Sequence, residues 1–275
     1  MDSIYLIIVI VLLGLAVLDL IVGVSNDAVN FLSSSIGSKV APVRVIFAVA
    51  ALGVFLGTMF SNGMMEVARS GVFYPDKFTF PEIMMLFLAV MLTDIILLDL
   101  FNTFGLPTST TVSLVFELLG AAVAVALFSI WSADSGNNLG EYINSGKALA
   151  IISGIFVSIA IAFVVGSIIM YLSRLIFSFK YNKTFIFLGA LWSGLALTAI
   201  TYFAIFKGLK GSVLVTTEML AFLENNMSIA LLYTLVGWTI LMAIFQHLFR
   251  IKILNVIVLV GTAALAMAFA GNDLV

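Results

Sequence analysis

The chain has 275 residues, of which 63% are hydrophobic and 9% charged, against about 45–50% and about 25% in soluble domains; an ordinary water-soluble fold is excluded. With no cysteine, disulfide frameworks and thiolate metal sites are excluded as well. The net charge is -2 and the 12 basic residues are scattered among short connections, so the clustered Lys/Arg footprint of a nucleic-acid binder is missing.

Taken in chain order, the N-terminus lacks the basic n-region and small-residue cleavage site of a signal peptide, and its apolar run is long enough to span. It is expected to remain as a first helix. Apolar runs cover Ile4–Val24, Val45–Met65, Ile83–Phe101, Val112–Trp131, Ala148–Ser173, Thr184–Phe206, Met227–Phe249 and Ile253–Ala270. Each approaches the roughly 20 residues that a membrane helix needs. None alternates with period two, which argues against barrel strands. The expected fold is an all-α integral membrane protein of about eight transmembrane helices, some interrupted into half-helices. The segment Ser212 to Asn226 mixes apolar residues with two glutamates and reads as an interfacial helix. Odd-numbered connections hold seven Lys/Arg and even ones five, which places odd loops in the cytoplasm and the N-terminus outside.

Two polar segments break this pattern. GVSNDAVNFLSSSIGSK, Gly23 to Lys39, follows the first span, and a second Asn-Asp, Asn272-Asp273, follows the eighth. If the first span runs inward to Asn26-Asp27, the eighth runs outward to Asn272-Asp273, so the two motifs arrive from opposite faces. That is the signature of an inverted repeat, in which broken helices meet near the midplane to bind substrate and coupling ions. The other segment, Asp99 to Thr111, contains Pro107-Thr108-Ser109-Thr110-Thr111 ahead of the fourth span. Pro107 suits a first helical turn, and hydroxyls beside free backbone N–H groups can either cap a helix or hold an anion.

Asp27 is costly inside a bilayer unless it meets water or a partner. Asp19, Asp94, Asp99 and Glu117 are further acidic residues within the apparent spans, and on an unbroken helix Asp19 and Asn26 share one face. Each can serve a proton or cation pathway or stand as a hydrogen-bonded structural carboxyl. Glu66 and Arg69, three apart, read as a local ion pair, and His247 as the cushion of a helix end. No nucleophile–base pair or metal triad points to an enzyme.

The NDxxN segment at Asn26 to Asn30, the PTSTT segment at Pro107 to Thr111 and the second ND at Asn272-Asp273 together resemble the inorganic phosphate transporter family. The flanking SIGSK at Ser35 to Lys39 and ELLGAAVAVAL at Glu117 to Leu127 fit the same pattern. Val24-Ser25 stand in place of that family's Gly-Ala, and Val112 in place of its His. The resemblance implies uptake of phosphate coupled to sodium or protons, with no enzymatic cofactor. On that basis Asp27, Thr108, Ser109, Thr110, Thr111 and Asp273 are the expected anion-site residues. Asn26, Asp27, Asn30, Asn272 and Asp273 supply oxygen ligands suited to sodium. Residues 1–131 would form the first inverted repeat, 132–250 connecting membrane helices and 251–275 the start of a second repeat. The chain stops two residues past Asp273, inside the motif, and so reads as part of a longer protein or as a half that needs a partner. Expected partners are phosphate, sodium, the lipid bilayer of the plasma membrane, and a second copy or the missing half. A proton-coupled sulfate or oxyanion permease, and a non-transporting half-protein, are the alternatives.

Overall fold

The computed structural model describes residues 3–60, 71–133, 138–177, 181–203, 221 and 225–273. Among them are eight α-helices: α1 (Ser3–Ser38), α2 (Val43–Phe60), α3 (Phe80–Thr103), α4 (Thr110–Ala133), α5 (Ser145–Ile176), α6 (Tyr181–Phe203), α7 (Met227–His247) and α8 (Ile253–Asp273). Seven are long and apolar enough to cross a membrane, and α2 is a shorter apolar helix over its described residues. The chain is an all-α, multi-pass membrane protein, and each expected span overlaps one helix. The Glu66–Arg69 pair and nearly all of 212–226 lie outside the described residues.

The expected interruption beside Asn26-Asp27 is absent. Helix α1 runs unbroken for 36 residues, about 54 Å at 1.5 Å per residue, and carries both polar residues in its interior. The physical reason is local: no proline occurs before Pro42, so nothing removes a donor from the i→i−4 ladder. Ser25 folds its hydroxyl back onto the Ile21 carbonyl at 2.7 Å instead of competing with that ladder. Among the described residues no span is divided into half-helices.

Two compact units divide the chain. The first holds Met1–Val29, Gly63–Ile159 and Asn272–Val275. Its core joins Phe73, Phe78, Leu86, Val90, Leu118, Ala122, Ala126, Tyr142 and Ile143. A short antiparallel bridge ties the segment before α3 to the one before α5, with Tyr74 N donating to Tyr142 O at 2.9 Å and Asn144 N to Val72 O at 3.0 Å. Edge-to-face rings, Phe73 on Phe78 and Phe78 on Tyr142, fill the space beneath. Glu82 fixes the start of α3 by accepting from the Thr79 backbone N–H at 2.6 Å and hydroxyl at 2.8 Å. It also reaches the Ser129 hydroxyl on α4.

The second unit holds Asn30–Asn62 and Ala160–Gly271. Helices α6 and α7 pack through Ala190, Leu197 and Met242; the indole of Trp238 donates to Thr201 Oγ1 at 2.9 Å. Against α8, α2 presents Gly53 and Gly57, where a Cβ would overlap the carbonyls of Ala263 and Met267. Only glycine permits that approach, the small-xxx-small seam familiar from membrane helices. Ser35 and Thr262 share a buried hydroxyl hydrogen bond, and Asn255 Nδ2 donates to Val40 O at 2.8 Å.

Candidate functional site in the first unit

Two local devices shape the connection between α3 and α4. Gly105, at φ +65°, ends α3: its N–H bonds Asn102 O at 3.1 Å and the Leu106 N–H bonds Phe101 O at 2.9 Å. This is the left-handed glycine C-cap, which satisfies the last carbonyls of the helix. Ser109 then begins α4 as its N-cap, its Oγ accepting from Val112 N at 3.3 Å. Helix α4 starts at Thr110, so Pro107 lies ahead of the first turn and not in it. Ser109 does the capping that leaves Thr108 outside the helix.

That turn carries Thr108 back to α1. The Thr108 N–H donates to Asn26 Oδ1 at 3.4 Å, Asn26 Nδ2 donates to Asn102 Oδ1 at 2.9 Å, and Asn102 Nδ2 donates to Val22 O at 3.1 Å. A chain of amides thus joins the NDxxN segment to the PTSTT segment. Asn26 is 4% and Asp27 1% exposed, so both are held away from lipid. Asn102 was legible only as part of a polar run; its bridging role comes from the cap at Gly105.

About two turns earlier on α1, on the face that Asn26 shares, lies a second polar chain. Asp19 hydrogen-bonds Asp94 of α3, and the Ser113 hydroxyl of α4 lies 2.7 Å from both Asp94 Oδ1 and Glu117 Oε1. A hydroxyl owns one proton, so it donates to one of these carboxyls at a time. Ser113 carries no sequence signal that sets it apart from the hydroxyl run just before it; the packing of α3 and α4 singles it out. Between α3 and α4 opens a cavity of ≈ 570 Å³ whose polar lining is Thr93, Thr108, Ser113 and Glu117 among apolar residues such as Phe101 and Phe116. It meets both polar chains, through Thr108 and through Ser113.

The remaining expected residues fall as follows. Thr110 is buried at 5%, and its Oγ1 makes no hydrogen bond among the described residues. Thr111 is partly buried and Ser109 exposed. Asn30, one turn beyond Asn26, is exposed. Asn272 and Asp273 close α8, and their side chains lie outside the described residues. Among those residues no three His, Cys, Asp or Glu side chains converge on a metal position.

Comparison with known proteins places the chain in a family. A protein of Thermococcus kodakarensis named as a phosphate permease is 33% identical over 108 residues, 38% of this chain and 27% of the relative. A Bacillus subtilis protein named as a low-affinity inorganic phosphate transporter is 25% identical over 189 residues, 67% of this chain and 52% of the relative. The chain thus spans between about a quarter and half of these relatives' length. A solved structure described as the sodium-dependent phosphate transporter superposes with a TM-score of 0.55 at 16% identity, covering 96% of this chain and 76% of that one, a likeness of fold. The model of the phosphate transporter family matches residues 23–274, nearly the whole of the helical array and both Asn-Asp segments, and the chain belongs to that family.

Proposed function

We propose that this chain carries the first repeat and the substrate site of a plasma-membrane transporter that moves inorganic phosphate together with sodium. The observation that carries the reading is the Asn26–Asn102–Thr108 network, which unites two motifs 82 residues apart around buried Asp27. In this reading Asp27 supplies charge to the cation, with Asn26 and neighbouring oxygens as ligands. Thr108 and Thr110 offer hydroxyls to the anion. Nearby cations offset the phosphate charge in a low dielectric, which is the physical reason for symport. Asn30, Ser109, Thr111, Asn272 and Asp273 complete the proposed set, the last two from the second repeat. The cavity hydroxyls of Thr93 and Ser113 extend the donor surface, and the Glu117 carboxyl there can accept a P–OH proton. The test is labelled-phosphate uptake into proteoliposomes holding this chain alone or co-expressed with the part of its relatives' length that it does not span. A sodium gradient should drive accumulation in the co-expressed sample, and indifference to sodium would overturn the coupling.

A second reading, coupling to protons, is favoured by one specific feature. The links Asp19–Asp94, Asp94–Ser113 and Ser113–Glu117 need three protons, and the Ser113 hydroxyl supplies one. Completing all three requires protons that only the carboxyl groups can carry, so the chain is a place where protons are held and handed on. The same vesicles with an imposed pH gradient and no sodium distinguish the two.

A further inference from the structure

Helix α5 ends in a different kind of site. Lys147 and Arg174 bracket 26 uncharged residues, which as helix extend about 39 Å, close to the roughly 40–45 Å between the polar faces of a bilayer. Arg174 therefore lies at headgroup level. In the second unit two cavities meet at this one residue. A groove of ≈ 560 Å³ runs back along α5 over Ala162, Phe163, Gly166 and Met170 to Arg174. A pocket of ≈ 320 Å³ adjoins it, walled by Phe177, Phe185, Trp192 and Leu254. The aromatic walls are ordered among themselves, Phe177 meeting Phe185 and Trp192 at 5.5 and 5.6 Å between ring centroids.

The dimensions match one leaflet. From Ala162 to Arg174 the helix rises about 18 Å, and half of the hydrocarbon core is about 15 Å. At Gly166 nothing lies within 4 Å of where a Cβ would stand, so this stretch of the helix surface is open to a chain lying along it. Among the described residues neither cavity has an acidic residue in its lining, while Arg250 and Lys252 precede Leu254 in the adjoining connection. An apolar channel that ends at a guanidinium and an aromatic wall complements a ligand with a long hydrocarbon tail and an anionic head. Guanidinium groups bind phosphate oxygens through paired N–H donors, and Trp rings settle at the headgroup boundary.

We propose that this cleft binds an anionic phospholipid, its phosphate on Arg174, one acyl chain in the α5 groove and its glycerol region against Trp192. The site lies outside the phosphate-handling residues, and loss of lipid binding would leave the transport reading untouched. The test uses the whole chain in nanodiscs of phosphatidylcholine doped with brominated phosphatidylglycerol or, separately, brominated phosphatidylcholine. Quenching is read as the difference between the unmodified chain and Trp192→Phe. The anionic quencher should act at lower mole fraction than the neutral one. Arg174→Gln should reduce that preference about fivefold, the value of one basic residue near an anionic surface, while Arg174→Lys keeps most of it. Gly166→Leu fills the groove without a neighbouring clash and should lower quenching by both lipids, with unchanged helicity by circular dichroism. Equal quenching by both lipids, an Arg174→Gln chain that behaves as unmodified, or cross-linking of a second copy across Phe163 and Met170 would overturn the assignment.

Discussion

Asn26 of α1 donates to Asn102 of α3 across 2.9 Å, and this amide pair is the joint between the two polar segments of the first unit. Asn102→Leu leaves the Asn26 Nδ2 without its acceptor in a buried setting. The expected cost is about 1–3 kcal/mol, the penalty of an unsatisfied polar group, read as a lower thermal midpoint in detergent and a loss of uptake. Asn102→Asp retains the acceptor for Asn26 but not the donor to Val22 O, and should fall between. An unchanged midpoint for Asn102→Leu would make the amide pair incidental.

Ser113 joins Asp94 to Glu117 with one hydroxyl at 2.7 Å from each. Ser113→Ala removes that donor and places two carboxyls side by side with nothing between them. Transport should fall at least tenfold, whereas Ser113→Thr, which keeps the hydroxyl, should retain most of it. If the proton-coupled reading holds, Ser113→Ala weakens pH-gradient-driven uptake more than sodium-driven uptake. Equal activity of the Ala and Thr variants would remove Ser113 from the mechanism.

At the α2–α8 seam, a Cβ at Gly57 would overlap the Met267 carbonyl and crowd Ala270. Gly57→Leu should destabilise by about 1–3 kcal/mol or more through overpacking, and a thermal melt reads it. Gly14, on α1 with nothing within 4 Å, is the control: Gly14→Ala should be neutral or stabilising by a few tenths to about 1 kcal/mol. A neutral Gly57→Leu would show that the seam opens without cost.

Sulfate and phosphate share a shape but differ in protonation near neutral pH, since phosphate keeps a proton and sulfate does not. A carboxyl lining the anion site accepts that proton and repels sulfate. Excess sulfate should compete weakly with labelled phosphate in the co-expressed protein, and arsenate should compete well. Glu117→Gln should narrow the gap if Glu117, which lines the cavity, is the acceptor. Equal competition by sulfate in the unmodified protein would move the substrate from phosphate to a sulfate-type oxyanion.

The eight helices were legible because lipid demands long apolar runs, and each run from Ile4–Val24 to Ile253–Ala270 has its helix. The course of α1 was not. Asn26, Asp27 and Asn30 read as a break, yet without proline the backbone ladder continues, and the Asn26 amide is satisfied from the side, by Asn102 and the turn at Thr108. Gly105 was a readable helix stop, three residues past Asn102, and it sets Asn102 and Thr108 where they can meet Asn26. The acids Asp19, Asp94 and Glu117 stood out as charges inside spans. Their linkage through Ser113 depends on how α1, α3 and α4 pack, which residue spacing along one chain does not encode.

Asp27 is the most buried acidic residue described, at 1% exposure, and in the proposed mechanism its charge is what a sodium ion answers. Asp27→Asn keeps the shape and a carbonyl oxygen but removes the charge. The deciding measurement is sodium-gradient-driven uptake of labelled phosphate into proteoliposomes holding the co-expressed protein, unmodified against Asp27→Asn, with matched membrane insertion. Concentrative uptake in the unmodified protein and its abolition in Asp27→Asn is the predicted result; uptake by Asp27→Asn at the unmodified rate, with the same response to sodium, would contradict it.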